Sequence, residues 1–71
     1  MRTTMLEAYY WNGAWAVQRA SVVLDHDGRS LFCNGYADPM LFPRLSEAES
    51  AFYEFLADKK PASYCDMANV Q

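Results

Sequence analysis

MLEAYYWNGAWAVQRA, residues 5–20, contains the dipeptide Asn12-Gly13 between two apolar segments. Asn-Gly tolerates the positive φ angles of a two-residue type I′ turn better than other dipeptides, and that turn closes many β-hairpins. The flanking segments, Met5 to Trp11 and Ala14 to Ala20, have the length and the apolar content of strands. We therefore expect the chain to open with a β-hairpin.

The predicted turn sets a register and gives the hairpin two different faces. It places Tyr9 opposite Ala16 and Trp11 opposite Ala14. The face that we expect to line the core carries Leu6, Ala8, Tyr10, Trp15 and Val17. The other face is more polar and leaves the rings of Tyr9 and Trp11 poorly covered, because only alanines oppose them.

The segment after this turn also allows a helical interpretation. Alanine, glutamine and arginine are good helix formers, and Asn12 is a suitable cap for a helix from Ala14 to Leu24. Val22 and Val23 argue against that helix, because β-branched residues prefer strands. We favour a strand here and keep the helix as the alternative.

A second turn signal, DHDG at residues 25–28, predicts a second hairpin. A tight turn at Asp27-Gly28 gives three pairs: Leu24 with Leu31, Val23 with Phe32, and Val22 with Cys33. The apolar residues change parity between Val17 and Val22, which predicts a bulge or bend around Arg19 to Ser21.

The stretch SEAE at residues 46–49 has the pattern of a helix-capping box. In that motif the Ser46 hydroxyl accepts a hydrogen bond from the amide of Glu49, whose carboxylate reaches back to the amide of Ser46. Apolar residues then follow at helical spacing: Ala48, Ala51, Phe52, Phe55 and Leu56. We predict a helix from Ser46 to Lys60 that ends before Pro61.

The segments on either side of the helix are less regular. Pro39 and Pro43 make Ala37 to Arg44 an extended connection that cannot be helical throughout. Ala62 to Val70 either adds a last strand or lies along an edge of the sheet. The predicted fold is α+β: one domain, residues 1–71, with an antiparallel sheet of three or four strands built from two successive hairpins and one helix packed on one face.

Size and charge exclude several classes of function. The chain has 71 residues, of which 52% are apolar and 21% charged, so we expect one ordered domain. Its net charge of -3 argues against a protein that grips nucleic-acid phosphates directly. The first twenty residues lack the apolar run of a secretory signal, and no stretch reaches membrane-spanning length. We expect a cytoplasmic protein without a membrane partner.

The sequence offers little chemistry for catalysis or for a cofactor. His26 is the only histidine and lies in a predicted turn, where it is expected to be solvated. Asp25 and Asp27 lack the further oxygen ligands of a calcium loop. Cys33 and Cys65 are too few for a zinc site, and we expect them to be free thiols unless the protein lies outside the cytosol. We expect no enzyme, no metal and no cofactor.

Aromatic residues are unusually frequent, at 15% of the chain. A domain this small buries only about 60% of the surface of its unfolded chain, and each large ring presents roughly 150 to 250 Å². Some rings must therefore stay partly exposed, and we select Tyr9 and Trp11 as candidates for contact with a partner. The alternative is that residues 37–44 or 62–71 fold across them. Stacking of bases on these rings is disfavoured because no cations surround them.

A second candidate surface is the outer stripe of the predicted helix. It carries Glu47, Ser50, Glu54 and Asp58 at spacings of three and four residues. An acidic helix exterior is ordinary when it faces water. The functional alternative is that Glu47, Glu54 and Asp58 dock on a basic partner, for instance the nucleic-acid groove of another protein.

The sequence therefore predicts a non-catalytic protein-binding protein. By analogy of size and composition, the expected class is a small stoichiometric inhibitor or adaptor that acts on a larger complex. Phages and mobile elements carry such proteins against CRISPR complexes and host RNA polymerase. The alternative is a homodimer that buries Tyr9 and Trp11 at its seam, where a small ligand is able to bind.

Overall fold

The computed structural model describes residues 2–13, 16–35 and 37–59, and it has the predicted α+β fold. Four antiparallel strands lie side by side in the order β1-β2-β3-β4: Thr3–Asn12, Ala16–Leu24, Ser30–Asn34 and Met40–Phe42. One helix, α1 (Leu45–Ala57), packs on one face of this sheet. The last predicted segment, Ala62 to Val70, lies outside the described residues, as do Trp15 and Cys65.

The first hairpin forms, but its predicted register was wrong by three residues. Asn12 pairs with Ala16, so three residues connect the strands instead of two. Leu6 consequently lies opposite Val22, and Ala8 lies opposite Ala20. An odd shift exchanges the two faces of β2, and here it brings Ala20 and Val22 beneath α1, where both are fully buried. The core therefore selects a register that the turn dipeptide alone did not indicate.

The predicted bulge around Arg19 to Ser21 was also wrong, and the observed register of the hairpin explains why no bulge is needed there. β2 runs without interruption from Ala16 to Leu24, because the corrected pairing puts Ala20, Val22 and Leu24 on one face. The irregularity lies in β1 instead, between Thr4 and Leu6.

The second hairpin is displaced by one residue from the predicted register. Val22 pairs with Phe32 and Ser21 with Cys33, while Leu24 pairs with Ser30. A slip of one residue moves every side chain of a strand to the opposite face. The observed register puts Phe32 on the same face as Val22, where it reaches the helix.

The core lies between this face and α1, and three of its six buried residues are aromatic. Its buried residues are Tyr10, Ala20, Val22, Phe32, Ala48 and Phe52. Phe32 contacts Phe52 and Phe55 edge to face, with centroid distances of 6.5 and 5.6 Å, and Tyr10 meets Phe55 at 5.2 Å. The Tyr10 hydroxyl donates a hydrogen bond to Gln18 Oε1 at 3.1 Å, which satisfies the polar end of this ring.

The helix is shorter than predicted at its end and lacks the predicted capping box. Arg44 is the N-cap residue and forms no side-chain cap hydrogen bond, while Ser46 already lies inside the first turn. The amide of Glu47 instead donates to the Arg44 carbonyl at 3.1 Å. The helix begins one residue early because Leu45 packs against the core.

The fourth strand comes from the segment that the sequence predicted as an extended connection. Met40–Phe42 pairs with β3 through Phe32 with Met40, Leu31 with Leu41, and Ser30 with Phe42. Met40 and Phe42 thus lie on the helix-covered face, and Leu41 lies on the opposite one. Short extended segments between prolines suit the edge of a sheet, where few backbone amides are needed for pairing.

Candidate functional site

The turn between β2 and β3 uses its polar groups for the fold. The Asp25 carboxylate, only 3% exposed, accepts hydrogen bonds from the amides of Asp27 and Arg29, each at 2.9 Å. Arg29 also donates from Nε and Nη2 to the second carboxylate oxygen, both at 2.9 Å. Burial raises the pKa of Asp25, but the hydrogen bonds from Arg29 and Asp27 and the Arg29 charge outweigh it, so the net pKa is lowered. This carboxylate is part of the structure and has no capacity left for a ligand.

The remaining ionisable groups of this turn are exposed. His26 lies 3.5 Å from the Asp27 carboxylate, and more than half of each side chain is accessible to water. Within residues 2–13, 16–35 and 37–59, no three His, Cys, Asp or Glu side chains are grouped closely enough to hold a metal ion.

The face of the sheet opposite α1 carries both aromatic residues selected from the sequence. Tyr9 pairs with Arg19, and Trp11 pairs with Val17, so the predicted shallow slot with alanines opposite the rings was wrong. Both residues are half-buried. The Tyr9 hydroxyl donates to Glu7 Oε2 at 3.3 Å, and Arg19 forms an ion pair with the same oxygen at 2.9 Å. The cation that the corrected register brings to this face is thus already paired.

A depression on this face has a volume of about 290 Å³. Tyr9, Arg19, Ser21 and Cys33 are among its lining residues. Cys33 is a free, half-buried thiol. Arg19 is engaged with Glu7, and none of the described residues that line the depression is a histidine or a lysine.

A wider groove lies between β4 and the outer side of α1. Its lining residues are Met40, Phe42, Pro43, Ser46, Glu47, Ser50, Ala51 and Glu54. The strand contributes apolar groups to the floor, and the helix contributes a row of hydroxyls and carboxylates along one wall. The groove has a volume of about 710 Å³ and is open to solvent along its length.

Two features distinguish this groove from the ordinary surface. Met40 is 50% exposed, and Leu41, on the other face of the same strand, is 55% exposed. Glu47 and Glu54 are exposed and form no ion pair with any residue of the described part of the chain. Carboxylates that have no ion-pair partner in the described part of the chain therefore line the same groove as the half-exposed Met40.

Only some residues of the predicted acidic stripe lie together in the structure. Glu47, Ser50 and Glu54 line the groove, whereas Asp58 lies past the last helical residue and is not among the lining residues. Near this helix end, the Lys59 ammonium lies 4.7 Å from the ring centroid of Phe55 and 5.7 Å from that of Tyr10. The helix end is thus occupied by a cation that packs on the core rings.

Sequence reasoning missed the strand side of the groove. Met40, Phe42 and Pro43 were expected in a simple connection, and only the short alternation of MLF between two prolines hinted at an edge strand. The exposed ring of Tyr53, 60% accessible, lies on the helix outside the groove lining and was not selected either.

Comparisons with protein-family models, with curated proteins and with solved structures found no match. Among the described residues, no helix is both long and apolar enough to cross a membrane.

Proposed function

We propose that this protein is a non-catalytic binding protein that recognises another protein through the groove between β4 and α1. Its action is that of a small stoichiometric inhibitor or adaptor on a larger complex. The observation that supports this proposal is a half-exposed Met40 in one groove with Glu47 and Glu54, whose carboxylates have no ion-pair partner among the described residues.

Both the exposed apolar area and the two carboxylates of the groove are stabilised when a suitable partner binds. Exposed apolar area gains roughly 25 cal/mol per Å² when a partner removes it from water. Glu47 and Glu54 gain from a partner that carries cations, and they disfavour acidic surfaces. A basic and partly apolar protein surface satisfies both.

The class proposed is that of the small acidic proteins by which phages and mobile elements block CRISPR complexes or host RNA polymerase. In this proposal, the protein acts by occupying a basic surface of its target. The proposed place of action is the cytoplasm.

The test is capture of a partner with matched charge variants. Tagged wild-type protein is incubated with host lysate, and the mass and stoichiometry of any complex are measured by native mass spectrometry. The double variant Met40→Ser with Glu54→Lys is expected to lose the complex. Glu49→Lys makes the same charge change on the same helix but outside the groove lining, and it is expected to retain the complex.

Equal capture by both variants, or turnover of a substrate by the isolated protein, would contradict the proposal. The alternative, a homodimer joined through Tyr9 and Trp11, is tested separately by sedimentation of the protein alone. A stable dimer that Trp11→Ala dissociates would support this alternative.

A further inference from the structure

The edge of the sheet at β4 has the features of a site for an added strand. Among the described residues, Met40–Phe42 pairs with β3 on one side only, and β4 is the last strand in the sheet order. Within the described part of the chain, its second edge therefore presents backbone amides and carbonyls that can pair with an extended chain. Pro39 and Pro43 flank this strand and lack amide protons, so the ladder is confined to these three residues.

The two faces of β4 offer different chemistry to such a chain. Met40 and Phe42 lie on the face covered by α1, in the groove with Glu47 and Glu54. Leu41 lies on the opposite face and is 55% exposed. A strand added at this edge lies about 4.8 Å beyond β4, and its side chains point alternately to the two faces.

From this geometry we infer that the groove takes an extended segment of another protein in which basic residues alternate with apolar ones. The inference rests on the proposed function and specifies the partner segment. The basic side chains lie on the helix side, where their aliphatic stems cover Met40 and Pro43 and their charges meet Glu47 and Glu54. The apolar side chains lie on the other face beside Leu41.

Charge complementarity distinguishes this occupant from others. An acidic segment would bring like charges to Glu47 and Glu54. A second copy of this chain carries net charge -3, and its own β4 segment, PMLFP, has no basic residue. Pairing of two β4 edges would therefore leave both rows of carboxylates without a counter-ion.

The test uses the peptide acetyl-Lys-Val-Lys-Val-Lys-amide as the probe, titrated into the full chain at low salt and followed by NMR. Strand addition slows hydrogen exchange of backbone amides in Met40–Phe42. Glu47→Gln with Glu54→Gln is expected to weaken binding about tenfold or more. Glu49→Gln is the control and is expected to bind as the wild type does.

Two N-methylated peptides test the strand geometry itself. In a β-strand, successive amides point to opposite sides, so methylation of both valines and methylation of all lysines block different edges. One of the two peptides is expected to bind at least about tenfold more weakly than the other, since a lost backbone hydrogen bond left unpaired costs of that order. A smaller difference, or no binding of the unmodified peptide, overturns strand addition.

Failure of this inference is distinguishable from failure of the proposed function. If the peptides do not bind but the folded partner is still captured and lost with Met40→Ser and Glu54→Lys, the groove binds protein by another mode. A dimer of the protein alone that Met40→Ser dissociates would place a second copy at this edge and would also overturn the inference.

Discussion

The turn between β2 and β3 and the groove between β4 and α1 use their carboxylates in opposite ways. Asp25 is 3% exposed and accepts hydrogen bonds from partners within four residues of itself. Glu47 and Glu54 are exposed, have no cationic partner in the described part of the chain, and stand beside a half-exposed Met40. The same functional group stabilises the fold in one region and remains available for another molecule in the other.

This difference indicates where the molecule can change without losing its structure. A charge that the fold already pairs cannot bind a ligand without breaking the turn. An unpaired charge beside exposed apolar area costs the fold little when it is altered, and it contributes mainly to recognition. Substitutions in the turn should therefore change mainly the stability of the protein, and substitutions in the groove should change mainly its binding to a partner.

Within the two regions compared, the largest expected effect on stability is in the turn. Asp25→Ala removes the acceptor of the side-chain hydrogen bonds of the turn, which come from the amides of Asp27 and Arg29 and from the Arg29 guanidinium, so we expect a fall in Tm on the order of 10 °C. Asp27→Ala removes the same charge from the same turn at a side chain that is 55% exposed. Thermal unfolding should show a much smaller change for Asp27→Ala, and equal effects would contradict the role assigned to Asp25.

The second expected effect is the pH dependence of this stabilisation. The pKa of Asp25 is lowered in the folded state, so its contribution is complete above the unfolded value of about 3.9 and is lost as the pH falls through the folded value. The urea midpoint of the wild type should exceed that of Asp25→Asn at about pH 6. The two should converge as the pH is lowered below the unfolded value. A difference that stays constant across this range would contradict the assignment.

A smaller effect on stability is expected at the strand side of the groove. Met40→Ser removes a half-exposed side chain, so we expect a loss of no more than about 1 kcal/mol in the free energy of unfolding. Urea denaturation measures this value. Phe52→Ala is the contrasting core variant, with an expected loss of about 3 to 5 kcal/mol. Similar losses for both variants would show that Met40 belongs to the core.

The smallest expected effect is at the helix side of the groove. Glu54 and Asp58 are like charges one turn apart, and a cation near the end of a helix is favourable. Glu54→Lys should therefore leave stability unchanged or raise it by about 0.3 kcal/mol. Denaturation of this variant beside Glu49→Lys measures the difference. A clear loss would mean that Glu54 has a structural role.

The order and type of β1, β2, β3 and α1 were predictable because local signals agreed with them, whereas β4 was not predicted as a strand. Asn12-Gly13 marks the first hairpin, DHDG at residues 25–28 marks the second, and the apolar spacing from Ala48 to Leu56 marks the helix. The registers were not predictable from turn dipeptides, since a change of one or three residues still leaves plausible turns. The observed registers are preferred because they place Ala20, Val22 and Phe32 on the face that α1 covers.

The helix side of the candidate site was predictable from the sequence, and the strand side was not. The acidic stripe was visible in the sequence because helical spacing places Glu47 and Glu54 on one side. Tyr9 and Trp11 remain predicted partner contacts, now half-buried on the face opposite α1. The apolar floor was not visible, because three residues between prolines do not show whether they pair with a strand or cross a loop.

The sequence by itself determined the alternation of strands and turns, the amphipathic helix and the excess of acidic side chains, because each depends on residues close to one another along the chain. Only the tertiary structure decided which strand residues face the helix and that Met40 lies in one groove with Glu54. That decision depends on burying Val22, Phe32 and Phe52 together, a contact between residues far apart in the chain that local preference cannot specify.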